Sequence, residues 1–351
     1  MSLIPNNIRY GELTMNVNTT QASELIKYYL KAKLVPMLHG SPGIGKSAIV
    51  KQVAEEYGLK VIDLRLSQCD PTDINGFPSL NGGRARYIPM STFPVEGDSI
   101  PEGHNGWLLF LDEFNSAPPA VQASAYKLVL DRMVGEHHLH KNVAIVCAGN
   151  LESDNAIVQQ MSTALQSRLV HLELHVDSKE WLNWAAENGI DYRITSYINF
   201  KPNVLYTFNP DHSDKTFACP RTWEFADRIL KIKDLPQSAM LPLLTGTLSE
   251  GVAREFITFT KIFRDLPTIK QIKEKPEEIQ VPDEPSILYA LSGSLSEHLN
   301  PDNIEALGKF IIRLPVEFQV ITFRTAIKKM PELLNSPTIH KWTLEKGKEL
   351  F

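Results

Sequence analysis

The segment HGSPGIGKSA, residues 39–48, constrains this chain more than any other stretch of it. The segment follows the apolar run 34–38 and precedes residues 46–57, whose apolar side chains fit one face of a helix. Glycines let the backbone wrap closely around a ligand, and the positive end of the following helix favours an anion. A strand, a glycine-rich loop and a helix in this order are typical of a phosphate site.

Gly40 to Ser47 satisfies the pattern G-x-x-x-x-G-K-[ST] without a mismatch. Lys46 is predicted to contact the outer phosphates of a nucleotide, and the Ser47 hydroxyl to bind Mg²⁺. A glycine-rich turn without a ligand is the alternative, and both flanks of the loop disfavour it. The residues predicted to bind the nucleotide are Gly40, Pro42, Gly43, Ile44, Gly45, Lys46, Ser47 and Ala48.

An acidic pair, Asp112 and Glu113, follows the apolar run 107–111. Ligands of open α/β sheets bind at the carboxyl ends of strands. Asp112 is therefore predicted to hold the Mg²⁺ shell, and Glu113 to orient the attacking water or to accept its proton. A solvated acidic pair at a strand end is the alternative, which the upstream loop disfavours.

Three further polar residues are candidates for contacts with the nucleotide or the attacking water. Asn150 follows the apolar run 143–149 and is predicted to hold the water against the γ-phosphate, unless it only forms a turn. Arg168 precedes the run 169–174, and it would act only in a ring, by reaching the γ-phosphate of a neighbouring subunit. Arg221, in CPRTWEF, is predicted to sense the same nucleotide, and its alternative is a pairing with Glu224.

Helix-length segments alternate with short apolar runs in the first half of the chain, which predicts an α/β fold with a parallel sheet covered on both faces. The predicted strands are 34–38, 60–66, 107–111, 142–149 and 169–174, and the predicted helices are 19–33, 46–57 and 118–130. Prolines and glycines between 67 and 106 predict loops and a hairpin around Asn81–Gly83. The predicted divisions are a core at 1–176 with an insertion at 68–106, a helical part at 177–267, a surface linker at 268–286 and a helical extension at 287–351.

The composition is that of an ordinary globular protein, with 43% hydrophobic and 22% charged residues among 351. A net charge of −5 makes duplex nucleic acid a less obvious partner, although a local basic ring would not show in a total. Cys69, Cys147 and Cys219 are widely spaced and predict free thiols in a reducing compartment. With no leader pattern and no run near the ~20 apolar residues that span a bilayer, a cytoplasmic protein is expected. The histidines at 137, 138 and 140 predict a polar hairpin tip rather than a metal site, because no acidic residue or cysteine accompanies them at ligand spacing.

The order of these motifs resembles an AAA+ ATPase, and more narrowly the MoxR branch with its CbbQ and NorQ type activators, which bacteria and their phages carry. The residues that carry the resemblance are PTDINGFP at 71–78, LDEFNSAPPAVQASAYKLVLDR at 111–132, AGN at 148–150, ALQSRLVHLEL at 164–174 and CPRTWE at 219–224.

The resemblance implies a three-layer αβα P-loop core with a five-stranded parallel sheet in the order 5-1-4-3-2, followed by an α-helical lid. It further implies a ring, usually hexameric, with ATP and Mg²⁺ at subunit interfaces, where the lid contributes Arg221 and the neighbour contributes Arg168. Hydrolysis would be coupled to remodelling a client protein, often one with a von Willebrand factor A domain, in a bacterial or phage-infected cytoplasm. The family places insertions such as 68–106 near the pore or substrate face. A DNA-directed ring, such as a clamp-loader-like or restriction-motor subunit, and a nucleotide-gated scaffold with little turnover remain open.

Overall fold

The computed structural model describes residues 16–154, 159, 161–211 and 213–346, apart from the side chain of Asn81. Contacts divide the chain into two units. The first unit comprises the described residues up to Val176 together with Asn209–Asp211, and the second comprises Asp177–Phe208 and the described residues from 213 onward. The finer division of the second unit into lid, linker and extension stays a prediction.

The main sheet of the first unit contains six parallel strands in the part of the chain that the structure describes. In chain order, the strands of this unit are β1 Asn16–Val17, β2 Pro36–His39, β3 Leu59–Arg65, β4 Phe77–Asn81, β5 Arg84–Ile88, β6 Gly106–Asp112, β7 Met133–Val134, β8 His137–His138, β9 Val143–Gly149 and β10 Val170–Leu174. The main sheet has the order β1-β10-β2-β9-β6-β3.

The predicted order of the five main strands is confirmed, but the expected number of strands is wrong. The sixth strand is β1, in which Asn16 pairs with Glu173 and Val17 pairs with Leu174. Two residues are too short to show the alternation by which strands are found in a sequence. Only their pairing with β10 makes them a strand.

Helices cover both faces of this sheet. The helices of the first unit are α1 Thr19–Lys31, α2 Lys46–Glu56, α3 Pro71–Asn75, α4 Pro119–Leu130 and α5 Thr163–Gln166. α1 and α2 pack together and contact the sheet, while apolar residues of α4 share a buried cluster with those of β6 and β9. β6 is buried along nearly its whole length, as expected of a strand covered on both sides.

The parallel register brings the ends of four strands, β2, β9, β6 and β3, to one edge of the sheet. His39 at the end of β2 pairs with Gly149 at the end of β9, and Asp112 at the end of β6 pairs with Arg65. The residues that follow these strands therefore lie side by side. This edge is where the candidate site forms.

Two hairpins extend from the first unit. The predicted hairpin is confirmed, because β4 and β5 pair antiparallel around Gly82 and Gly83. Both glycines have positive φ values, of 61° and 78°, as such a tight turn requires. The apolar side chain of Leu80 near the tip is 83% exposed. The second hairpin, β7–β8, carries exposed polar residues at its tip.

The second unit is helical in its described part. Its helices are α6 Ser178–Glu187, α7 Tyr192–Phe200, α8 Pro220–Leu230, α9 Gln237–Leu248, α10 Glu250–Thr260, α11 Ile269–Glu274, α12 Pro285–His298, α13 Ile304–Ile311, α14 Val316–Lys329 and α15 Pro337–Lys346. Trp223 of α8 is fully buried, contacts the rings of Tyr197 and Phe256, and donates its indole N–H to the carbonyl of Val204 at 3.0 Å. No helix among the described residues has both the length and the apolar character needed to cross a membrane.

The segment 268–286, which the sequence predicts as a surface linker, contains a short helix. Residues Ile269–Glu274 form α11, which begins at Thr268 with a capping box to Gln271. Ile272 is fully buried in a cluster with residues of α12 to α15. One apolar face of a six-residue helix is too short a signal to stand out among the charges and prolines around it.

Candidate functional site

The glycine loop leaves β2 at His39 and enters α2 at Lys46, as predicted. Gly43 and Gly45 have φ values of 79° and 103°, in the left-handed region that side chains other than glycine disfavour. Gly45 directly precedes the helix, so the first N–H groups of α2 have no helical acceptor and point out of the helix end. The loop therefore offers backbone donors and a positive helix end to an anion.

Lys46 lies over this loop and is mostly buried. Its Nζ donates to the carbonyls of Gly40 and Ser41, the latter at 3.0 Å, and to Oδ1 of Asn150 at 3.2 Å. The ammonium group is thus held between the phosphate loop and the end of β9. Phosphate oxygens would replace neutral carbonyl acceptors here, and charge-assisted hydrogen bonds are the stronger ones.

Ser47 and Asp112 form the candidate Mg²⁺ site. The Ser47 hydroxyl donates to Oδ2 of Asp112 at 3.1 Å. Burial raises the pKa of Asp112, opposed by hydrogen bonds from the Glu113 N–H and Ser47 and by the charge of Lys46. A hydroxyl beside a carboxylate oxygen is the hard donor set that Mg²⁺ takes, with phosphate oxygens and waters filling its other positions. The two residues therefore fit the ion.

Glu113 follows Asp112 in a left-handed conformation, with φ 55° and ψ 34°. A residue other than glycine held in this region costs of order 1–3 kcal/mol and occurs preferentially at functional sites. Its Oε2 accepts a hydrogen bond from the hydroxyl of Ser67, which follows β3. Ser67 thus fixes the direction of the Glu113 carboxylate. Sequence reasoning missed Ser67, which lies 46 residues away and in no motif.

Asn150 is held by Asn115, which is almost fully buried. The Asn115 Nδ2 donates to the Asn150 carbonyl at 2.7 Å, and the Asn150 N–H donates to Oδ1 of Asn115 at 3.0 Å. A side chain at Gly149 would put its Cβ 2.2 Å from that Oδ1, so a glycine is needed there. Asn115 was also missed, although an amide two residues after Glu113 was a signal for it.

A pair of histidines lies behind the loop. Nε2 of His39 is 2.8 Å from Nδ1 of His171, and Nε2 of His171 is 2.9 Å from the carbonyl of Gln166. Burial, with the charges of His171 and Lys46, lowers the pKa of His39 to about 4. Both rings, with Asn150, line a cavity of about 640 Å³. His39 is therefore neutral near pH 7.

Arg168, the predicted finger, is not part of this cluster. Arg168 comes two residues before Val170, which pairs with Pro36 at the start of β2, whereas the loop follows His39 at its end. The two edges are about 10 Å apart along the strand, and Arg168 instead donates to the Ala164 carbonyl and lies over the Tyr126 ring.

Arg221 belongs to the first turn of α8 in the second unit. It is exposed and makes no ion pair in the described part of the chain. Its charge, with that of Arg228, opposes the effect of burial, which raises the pKa of Glu224. The close pairing of Arg221 with Glu224, the alternative to a nucleotide role, is therefore absent among the described ion pairs.

Comparison with known proteins matches this unit to a family. Residues 36–169 match the model of the AAA domain, dynein-related subfamily. The chain is similar to Lon protease of Fusobacterium nucleatum, with 27% identity over 213 residues that cover 53% of this chain and 27% of that protein. The chain thus spans about a quarter of the length of that relative.

Solved structures are similar at a lower level. RuvB of Thermotoga maritima, a Holliday junction branch migration motor, is 16% identical, with 84% of this chain and 86% of that chain covered and a TM-score of 0.36. NtrX of Brucella abortus in complex with ATP is 14% identical, with coverages of 96% and 70% and a TM-score of 0.40. These values are too low to add to the family match.

Residues 36–169 thus match an AAA domain and have its P-loop fold, with parallel strands and covering helices, and the described residues from 177 onward are mainly helical. An AAA domain is an ATP-hydrolysing module that uses ATP with Mg²⁺. The residues at the carboxyl edge of the sheet have the chemical types that this reaction needs.

Proposed function

We propose that this protein is a ring-forming AAA+ ATPase of the MoxR type, which hydrolyses ATP and uses the cycle to remodel a partner protein. ATP hydrolysis is supported by the meeting of Lys46, Ser47, Asp112, Glu113 and Asn150 at one edge of the sheet. Residues up to 104 positions apart in the sequence contact one another there. The MoxR type and the remodelling of a partner are supported by the resemblance of the motifs at 71–78, 111–132 and 164–174.

The chemistry assigns a role to each side chain. Water attacks the γ-phosphorus, the bond to the β–γ bridging oxygen breaks, and ADP and phosphate form. Glu113 orients this water and accepts its proton, and Asn150 holds it in line. Lys46 and the loop N–H groups stabilise the charge on the phosphate oxygens. Ser47 and Asp112 would hold Mg²⁺, which when bound neutralises phosphate charge.

The position of Arg168 is an argument for the proposed ring. Arg168 lies at the opposite edge of the sheet from the loop of its own chain, so it can act on a γ-phosphate only in another subunit. Arginine fingers supplied in this way contribute roughly 10³ to 10⁵ in rate. Arg221, exposed in the second unit, is proposed to sense the same nucleotide.

A mixing experiment tests the ring and the finger together. Arg168→Ala and Glu113→Gln subunits are each expected to bind ATP without turnover. In mixed rings, an interface that joins an intact Glu113 to an intact Arg168 of the neighbour should recover hydrolysis. Arg254→Ala, an exposed arginine of α10, is the control and should behave as wild type. Lack of recovery in rings shown to be mixed would contradict a finger acting between subunits.

The ring size, proposed to be hexameric, and the client are tested with the same variant. Glu113→Gln rings held with ATP and Mg²⁺ are imaged and used to capture a client, which we propose to be a protein with a von Willebrand factor A domain. Capture of such a protein, with ATPase activity that responds to it, supports remodelling. Stimulation by DNA instead would favour a DNA-directed ring.

A further inference from the structure

The segment that follows β9 contacts the phosphate loop at two points. Oδ1 of Asn150 accepts from Nζ of Lys46 at 3.2 Å, and Oδ1 of Asp154 accepts from the hydroxyl of Ser41 at 3.0 Å. Ser41 is the second residue of the loop and Lys46 is the seventh. The short turn Glu152–Asp154 therefore holds the start of the loop while Asn150 holds its end.

The Asp154 carboxylate is held at a cost. Asp154 is only 8% exposed. Its Oδ2 atom is buried and has no hydrogen-bond partner in the part of the chain that the structure describes. A buried acceptor left unsatisfied destabilises the folded state, and more so when it is charged. Ser41 is the one described hydrogen-bond partner of this carboxylate. The one hydrogen bond described for this carboxylate therefore goes to the phosphate loop.

Lys46 gives that contact its physical reason. In the described state Lys46 also holds the loop, through the carbonyls of Gly40 and Ser41. When its ammonium group turns to phosphate oxygens, the loop loses those contacts. The hydrogen bond from Ser41 to Asp154 does not involve Lys46, so it can keep the start of the loop in place while Lys46 changes partners.

We propose that Asp154 is a positioning residue of the phosphate loop, which fixes the directions of the loop N–H groups through the Ser41 hydroxyl. The proposal rests on the proposed binding of ATP by this loop. It assigns Asp154 to nucleotide affinity rather than to the chemical step, since its carboxylate contacts the loop and not Glu113.

The test measures the Kd for ATP with Mg²⁺ by calorimetry on the full chain. Ser41→Ala and Asp154→Ala should each raise the Kd about tenfold, the loss expected for a hydrogen bond to a charged group. The double variant should raise it no further, because both changes remove the same contact. Asp154→Asn should rescue most of the affinity, since an amide oxygen accepts the same hydrogen bond. In turnover assays KM should rise more than kcat falls.

Ser153→Ala, an exposed serine of the same turn, is the matched control. The proposal is overturned if Asp154→Ala leaves the Kd unchanged, or if the effects of the two single variants multiply in the double variant. Should Asp154→Ala fail to fold, an unchanged Kd in Ser41→Ala overturns it instead. Absence of binding by the wild type would refute the proposed function itself, which is a different result.

Discussion

The two units of this chain differ in the residues that their most prominent side-chain clusters contain. In the first unit, polar side chains gather at the sheet edge and hold one another, as Asn115 holds Asn150 and Ser67 holds Glu113. In the second, aromatic rings such as Trp223 and Phe256 pack together, and much of the polar surface faces solvent. The polar groups at the sheet edge of the first unit thus surround a candidate reaction site, whereas the aromatic cluster around Trp223 in the second unit contributes packing.

This difference predicts that substitutions in the two units have different effects, on nucleotide chemistry in the first and on stability in the second. A change at the sheet edge of the first unit should alter nucleotide chemistry with less loss of stability than a change in an apolar core, because each side chain there contributes one to three hydrogen bonds. A change in the aromatic core of the second unit should lower stability without touching the phosphate loop. Four measurements can support or contradict this difference.

The largest effect is expected for Glu113→Gln. The amide keeps the shape and can still accept a hydrogen bond from Ser67, but it cannot take a proton, so turnover should fall by about 10²- to 10⁴-fold. ATP binding and the unfolding midpoint should change little. Glu136→Gln, at the exposed tip of the β7–β8 hairpin, is the control for phosphate-release assays. Turnover within twofold of wild type would remove Glu113 from its role.

Trp223→Ala comes next and acts on the other unit. Removing a fully buried tryptophan should cost about 3–5 kcal/mol, read from hydrogen exchange of the α8 amides. Arg221, the proposed nucleotide sensor, lies on the same helix, so any rise in the Kd for ATP with Mg²⁺ should not exceed that of Arg221→Ala in conditions where both units remain folded. Trp184→Ala is the control, because that ring is 39% exposed. Equal losses in the two variants would contradict the packing described for Trp223.

A third effect depends on pH and is traced to His39. Burial lowers the pKa of His39 to about 4. Below about pH 6.5 the imidazole of His39 is therefore protonated in the unfolded chain but stays neutral in the folded chain until the pH approaches 4. Stability should therefore fall as the pH drops from 6.5 toward 4, by up to roughly 3 kcal/mol. The measurement is the difference between the pH profiles of wild type and His39→Gln.

His104→Gln, an exposed histidine of the first unit, is the control for that profile. It should leave the slope between pH 6.5 and 4 unchanged, while His39→Gln makes it shallower. Parallel profiles for wild type and His39→Gln would mean that His39 is not held neutral by its surroundings.

The smallest effect is expected at the surface of the second unit. Arg254 and Glu250 form an ion pair of 2.6 Å one turn apart on α10, with both side chains about 60% exposed. Solvent screens such a pair, so Arg254→Ala should cost about 0.2–1 kcal/mol in thermal unfolding. A loss above 2 kcal/mol would show that polar surface groups support this unit after all.

Sequence reasoning found the parts of the fold that have local signals. Apolar runs between polar signals gave the five main strands, and the loop pattern located Lys46 and Ser47 before the structure brought them to Asp112. The two-residue β1 and the six-residue α11 were missed because neither is long enough for a periodicity.

The supporting residues of the site were missed for a different reason. Ser67, Asp154 and His171 meet their partners 46, 113 and 132 residues away, and nothing in their immediate neighbours marks them. Chemistry restricts which residue can contact a phosphate, so the loop is recognisable. Many residue types can hold such a residue in place, so its supports appear only when the chain is folded.

Calorimetric titration of ATP with Mg²⁺ into the wild type and Lys46→Ala tests the central claim most directly. Lys51→Ala, an exposed lysine of the same helix α2, controls for the loss of a charge. We expect binding by the wild type and Lys51→Ala and none by Lys46→Ala. No heat with the wild type, or equal affinity in Lys46→Ala, would show that the loop between β2 and α2 does not hold a triphosphate.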